Sequence, residues 1–453
     1  MHGQNADLEA VNVRLPLEGE GGLFRVSVRD GKWTAIERQE NAVSEDGYVP
    51  IAALGLDELR AAGRLDLEGR VLLPGFVDVH MHLDKAYSLP RVRNRSGTLL
   101  EAIENYRAVA PTFAKETIRD RIVKAALNAA SYGSATLRSH LDVPVHLGRD
   151  LAMRTIEAAL EARERVSGAV DIQYFPMFFY DPSAERELTE FAAEALRMGV
   201  DGVGGAPHLC PEADAGIAWA FRLATKFARP IDLHADESDD PAVKTIDVYC
   251  DQIMRNGYAG RATAGHLCSL SAMAQDEADR LIAKMAICGV GAVTLPAVNL
   301  YLQGRSDRGN VRRGVTRVRE LAEAGVPVAA ASDNIQDPFH PFGRGDMLQV
   351  GLMTAYAAHL AREEDIVAVL RMLTHLPARI AGLRDYGVAP GNPAGFVVLD
   401  AVSAEELFQE LPATRWVYNK SRWTFASRLS RQGTEPDAGV EAVVRCANAD
   451  SAV

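Results

Sequence analysis

Cysteine is scarce in this chain. Five residues in 453 (Cys210, Cys250, Cys268, Cys288 and Cys446) are odd in number and form no CxxC pair. That excludes a disulfide framework and a zinc ribbon, and leaves buried thiols in a reducing compartment. Long apolar runs are missing as well, so no segment reads as a membrane span. The opening "MHGQNADLEAVNVRLP" has neither the basic patch nor the apolar stretch of a secretory signal. A soluble cytoplasmic protein with no membrane partner is therefore expected. Basic charge is in deficit: 49 Lys and Arg face 61 Asp and Glu, for a net charge of −12. This argues against a nucleic-acid-binding surface and directs attention to a small-molecule ligand. No low-complexity segment occurs. With 47% hydrophobic residues, the chain can build a large catalytic domain plus a smaller one.

The middle of the chain repeats a short apolar run followed by an amphipathic helical segment. The runs fall at 71–80, 134–143, 169–178, 200–209, 229–237, 261–267, 289–297 and 326–334. Helical patterns such as "ETIRDRIVKAALNAASYG" lie between them, several closed by Gly. Alternating strand and helix implies parallel pairing, and eight such units match an α/β fold of the (β/α)₈ barrel type. A doubly wound open sheet is the weaker alternative, because no GxGxxG follows the first run. Both ends of the chain look β-rich instead. "LFRVSVRDGKWTAIE" carries "DG" between two strand-like runs, and "GFVVLDAVS", "TRWVYNKSRW" and "GVEAVVRCAN" repeat that style near the other end.

In a barrel the chemistry gathers at the C-terminal ends of the strands. The first run ends in "HMH", and residues two apart on a strand project to the same side. His80 and His82 can therefore chelate one divalent cation, although half-buried structural histidines would look the same. Further along, His140 and Asp142 end the second run, His208 the fourth, and His234 the fifth, in "LHADE". His266 ends the sixth, and Asp333 and Asn334 the eighth, in "ASDN". So many at strand ends are not a coincidence of packing. His80, His82 and His234 offer three nitrogen ligands to Zn²⁺ or Fe²⁺, and Asp333 an oxygen ligand or a base. Glu237, three residues past His234, is placed to shuttle protons. His266 is placed to polarise the attacked centre or orient water. Lys85, in "HLDKAY", is expected on the loop after the first strand, where it is either simply solvated or within reach of an oxo or anionic substituent.

These segments resemble the amidohydrolase superfamily, in its cytosine deaminase and N-isopropylammelide isopropylamidohydrolase branch. The resemblance rests on "PGFVDVHMHLD", "SGTLLEAIE", "SHLDV", "IDLHADESDD", "AGHLCS", "NLYLQGRSDRGNVRRGVTRVREL" and "SDNIQDPFHPFGRGDMLQV". It implies His80, His82, His234 and Asp333 as the metal site, Glu237 as proton shuttle, and His266 as an assistant at the reacting carbon. It also implies a small β-sandwich built from both chain ends. The expected organisation is 1–73 and 384–453 for that sandwich and 74–383 for the barrel.

Two departures bear on substrate. Cytosine deaminases carry Gln after "FP" on the third strand, where this chain has Met177 followed by Phe178 and Phe179. They carry a second Asp after the eighth-strand Asp, where Asn334 stands here. A thioether cannot replace the amide contact, and an unpaired buried polar edge costs about 1–3 kcal/mol, so cytosine itself is not the expected substrate. The carboxylated lysine of binuclear relatives has no counterpart in "VDGVGGAPHL", which points to one metal per chain. Met177, Phe178, Asn334, Lys85 and His208 make up the expected substrate-contacting set. The expected activity is removal of an exocyclic amino or alkylamino group from a nitrogen heterocycle, by a homo-oligomer. Its rivals are hydrolysis of a cyclic amide or imide, and a metal-dependent binding protein without turnover.

Overall fold

The computed structural model describes residues 7–19, 21–44 and 46–430. "GVEAVVRCAN" and Cys446 lie outside them. Near the start, β1 (Leu8–Val13), β2 (Leu23–Arg29), β3 (Lys32–Gln39), β4 (Val49–Pro50) and β5 (Arg64–Asp66) form one sheet, in the order β3-β2-β1-β5-β4. The β2–β3 hairpin turns on Asp30 and Gly31, at φ of 48° and 73°. That is the left-handed pair a tight two-residue hairpin requires.

The run at 71–80, expected as one strand, is two. β6 (Val71–Pro74) belongs to the sandwich and β7 (Phe76–Met81) to the barrel. Gly75 N–H donates to Gly395 O at 2.9 Å, and Phe76 N–H donates to Gly133 O at 2.9 Å, so the chain changes partners within one residue. Pro74 has no N–H to continue a ladder. A Cβ on Gly75 would fall 2.6 Å from the Ala135 Cβ. Alternation of apolar residues runs straight through such a switch and cannot report it.

Seven further parallel strands complete the barrel: β8 (Ser134–Asp142), β9 (Asp171–Met177), β10 (Val203–Gly205), β11 (Ile231–Ala235), β12 (Ala262–His266), β13 (Gly291–Thr294) and β14 (Val328–Ala330). Each occupies one of the eight expected runs. Helices cover the outside, so most strand residues are buried on both faces, as parallel sheets require. Closure comes from a parallel bridge between Met81 and Asp333, in which Asp333 N–H donates to His80 O at 2.8 Å. The barrel is thus sealed at two of the residues singled out for chemistry.

The chain then returns to the sandwich with β15 (Phe396–Leu399), β16 (Arg415–Asn419) and β17 (Arg422–Ser427), in the order β17-β16-β15-β6. The two small sheets share an apolar core rich in aromatic rings. Phe396 stacks on Tyr418 at 4.9 Å and packs on Trp33 at 5.2 Å. Sandwich and barrel are joined by a buried pair. Arg415 donates from both terminal nitrogens to Asp346, at 2.8 and 2.9 Å, and to Tyr132 O at 2.9 Å. Among the described residues no helix is long and apolar enough to cross a membrane.

Candidate active site

Three imidazoles meet at the C-terminal mouth of the barrel. His80 and His82 leave β7 and its end on one face, and His234 comes from β11. His80 Nε2 lies 3.2 Å from His234 Nε2, and His82 Nε2 lies 3.1 Å from it. Asp333 arrives from the opposite edge of closure, with Oδ1 3.3 Å from His82 Nε2 and 3.8 Å from His80 Nε2. Asp333 has φ of 60° and His266 of 70°. These left-handed conformations cost about 1–3 kcal/mol each in non-glycine residues and concentrate at functional sites. Here they turn both side chains back over the barrel mouth.

Burial, followed by the neighbouring imidazoles, drives the pKa values of His80 and His234 far below the ordinary range. For His82 the second cause is Lys85. All three rings are neutral, the form that ligates metal. Asp333 is pushed the other way, by burial and then by the neighbouring Glu237 carboxyl. Among the described residues neither of its oxygens has a hydrogen-bond partner, although both are buried. Leaving such groups unsatisfied is expensive. One divalent cation would satisfy them together. Nitrogens about 2.0–2.1 Å from a tetrahedral ion stand about 3.3 Å apart, which is close to the spacing of the imidazole nitrogens here. The donor set fits a metal.

The floor beneath explains how the rings are held. His140, on β8, packs its ring 4.2 Å from that of His80 and 4.7 Å from that of His234. Below it Arg138 donates to Asp232 at 2.7 Å. His80 also needs room on its flank, and Gly265 provides it: a Cβ there would fall 2.9 Å from His80 Nδ1.

Above the cluster stand the acid–base candidates. Glu237 is buried, and burial pushes its carboxyl up to about 8 against the opposing charge of Lys85. It therefore carries a proton at neutral pH. Its Oε1 lies 3.5 Å from His266 Nδ1. Asn299 Nδ2 donates to His266 Nδ1 at 3.1 Å, which puts the ring proton on Nε2, the atom 3.9 Å from Asp333 Oδ2. Asn334 donates from Nδ2 to Asp337 at 2.7 Å, so its Oδ1 is left to accept from a bound molecule.

A pocket open to solvent lies over this centre. Met177, Lys85 and Asn334 of the expected substrate-contacting set line it. Phe178 and His208 do not. Alternation after β9 sends Met177 and Phe179 into the pocket, and Phe178 outward against Trp219, at 5.8 Å, and Phe191. His208 stands behind His234, outside the pocket lining, its Nδ1 3.2 Å from the His234 carbonyl oxygen. Lys85 is buried rather than solvated, its ammonium 5.3 Å from the Tyr106 ring and 4.8 Å from the Phe339 ring. One wall was not foreseen. The helix Leu99–Val109 contributes Leu99, Ile103, Tyr106 and Arg107. Leu99, Ile103 and Tyr106 sit at i, i+4 and i+7, a helical face visible in the sequence, but nothing there says that this face borders a ligand.

A parallel eight-stranded barrel with a buried His/Asp cluster at its mouth, beside a buried Glu and His, defines a hydrolase of the metal-dependent barrel class. The chain belongs to the Amidohydrolase family, whose sequence profile matches residues 64–171 and 152–424. It is 33% identical to a pterin deaminase of Rhizobium rhizogenes, over 79% of this chain and 82% of that protein. It is 29% identical to the N-isopropylammelide isopropyl amidohydrolase of a Pseudomonas species, over 75% of this chain and 82% of that one. Its fold superposes on 5-methylcytosine deaminase from Klebsiella pneumoniae liganded with 5-fluorocytosine. That match has a TM-score of 0.84 and 27% identity, covering 94% of this chain and 99% of the other.

Proposed function

We propose that this chain is a metal-dependent aminohydrolase that replaces an exocyclic amino or alkylamino group on a nitrogen heterocycle with oxygen. The observation that carries the reading is one pocket in which three converging neutral imidazoles and an unpartnered Asp333 face a protonated Glu237. His80, His82, His234 and Asp333 would hold a single Zn²⁺ or Fe²⁺ per chain. A bound ion of this kind supplies hydroxide at neutral pH.

The remaining steps belong to the protein. Glu237 gives its proton to the ring nitrogen beside the amino-bearing carbon, which makes that carbon electrophilic. His266, with its proton on Nε2, steadies the oxygen arriving there. Asn334 Oδ1 accepts from a ring N–H and fixes the ring's register. Glu237, a carboxylate once that proton is given up, then takes the proton of the arriving hydroxyl and hands it to the amino nitrogen, so collapse of the tetrahedral carbon expels ammonia or an alkylamine and leaves a carbonyl. The apolar wall of Met177, Phe179, Leu99 and Ile103 suits a larger, fused ring better than cytosine, in agreement with a pterin deaminase among the relatives. A cytoplasmic homo-oligomer acting on small molecules completes the proposal.

The test is turnover of pterin, N-isopropylammelide, 5-methylcytosine and cytosine by the Zn- or Fe-loaded protein, with ammonia and alkylamine assayed separately. Release of either, with oxygen replacing nitrogen on an intact ring, is expected. A product carrying one added water and an opened ring would overturn the reading in favour of cyclic amide hydrolysis. Binding without any turnover would reduce the chain to a binding protein.

A further inference from the structure

Arg107 lines the pocket wall without being ion-paired, although Asp142 lines the same pocket. Among the described residues its guanidinium has no hydrogen bond and no ion pair. It lies over the ring of Phe179, 5.3 Å from the centroid, and both side chains line the pocket. Stacking on an aromatic face holds the guanidinium plane while leaving its edge, with its fork of N–H donors, free. The position is distinct from that of Lys85. Lys85 acts by charge on His82, Glu237 and Asp333, and so belongs to the reacting end. Arg107 acts on His146 and Cys210, away from the imidazole cluster. Both residues line the same pocket, so one ligand seated there can face both.

We propose that Arg107 selects heterocycles carrying a carboxylate on the ring edge remote from the amino-bearing carbon. This rests on the aminohydrolase reading above and narrows it to an anionic, fused-ring substrate class. A planar carboxylate takes two parallel N–H donors from a guanidinium, and such charge-assisted pairs are the strongest of the ordinary hydrogen bonds. Phe179 beneath the guanidinium and Met177 beside it would cover the ring that carries the carboxylate.

The experiment uses two probes, an aminopteridine bearing a carboxylate and the same ring bearing the isosteric carboxamide. Equilibrium binding and kcat/KM are measured on metal-loaded wild type, Arg107→Gln and Arg107→Lys. Wild type is expected to favour the carboxylate by about 10–100-fold, less so as salt is raised. Arg107→Gln should bring the ratio close to one, and Arg107→Lys should keep part of it, because the charge survives while the fork is lost. A preference that survives Arg107→Gln, or a wild type that treats both probes alike, overturns the proposal. The latter includes the case where Arg107 pairs with the nearby Asp142 in solution. Turnover of both probes without preference sinks the anion selectivity and spares the aminohydrolase reading. Arg107-dependent preference in binding without turnover of either probe does the reverse.

Discussion

Gly265→Ala is a change of one methyl group that should loosen the protein's hold on a metal. Gly265 sits on β12 between His234 of β11 and Val293 of β13. Its backbone is ordinary strand, so alanine strains no dihedral. The trouble is space: the new Cβ would stand 2.9 Å from both Cε1 and Nδ1 of His80, about half an ångström inside normal contact. His80 cannot retreat, because His140 packs 4.2 Å away and His234 4.5 Å away, and the ring is fully buried. Metal–ligand distances tolerate only about 0.2 Å, so a ring displaced by half an ångström misplaces its Nε2. Overpacking of this kind costs about 1–3 kcal/mol, and a disturbed ligand orientation about 10–100-fold in metal affinity. The assay is competition against a chromophoric chelator, with thermal unfolding measured with and without metal. The variant should bind metal about 10–100-fold more weakly, and the Tm gain on adding metal should shrink accordingly. Gly63→Ala is the control, since its Cβ would meet only Asp7 O, at 3.4 Å. Wild-type metal affinity in Gly265→Ala would refute the claim that His80 is a ligand held against that glycine.

Three further outcomes are expected. Glu237→Gln should fold and keep metal but lose about 10²–10⁴-fold in kcat; near-normal turnover would return Glu237 to a structural role. Met177→Gln should raise kcat/KM for cytosine by about 10-fold or more relative to the preferred substrate, and an unchanged ratio would show that Met177 does not meet the ring's amide edge. Glu101 anchors the start of the pocket-wall helix, where the Ser96 hydroxyl and the Arg95 and Ser96 N–H groups hold its carboxyl down to about 2. Because the folded value lies below the ordinary one near 4.5, this anchor is intact above pH 4.5 and lost as pH falls through about 2. Hydrogen exchange in the first turn of Leu99–Val109 should quicken over that window in wild type. Glu101→Gln, which has no carboxylate to titrate, should lack that dependence, and an identical acid profile in both proteins would disprove the anchor.

What could be read locally was read from the chain. Period-two alternation puts His80 and His82 on one face regardless of what surrounds them, and both rings do reach His234 Nε2. The eight apolar runs with intervening helical patterns define a barrel, because parallel strands need crossovers and two-sided burial. Strand ends then nominate His234, His266 and Asp333 without any knowledge of distances. Other features belong to tertiary structure, since they depend on which residues meet across large separations in sequence. Whether Phe178 or Phe179 faces the ligand depended on where β9 ends. The division of 71–80 at Gly75 depended on Gly395 and Gly133 standing on either side of it. The protonation of Glu237 follows from burial that no window of sequence reports. Arg107 is one more charged residue on an amphipathic helix until closure of the barrel sets that helix over the mouth. Chemistry-bearing residues were legible because strand geometry is local; the pocket they serve was not, because its walls come from every part of the ring.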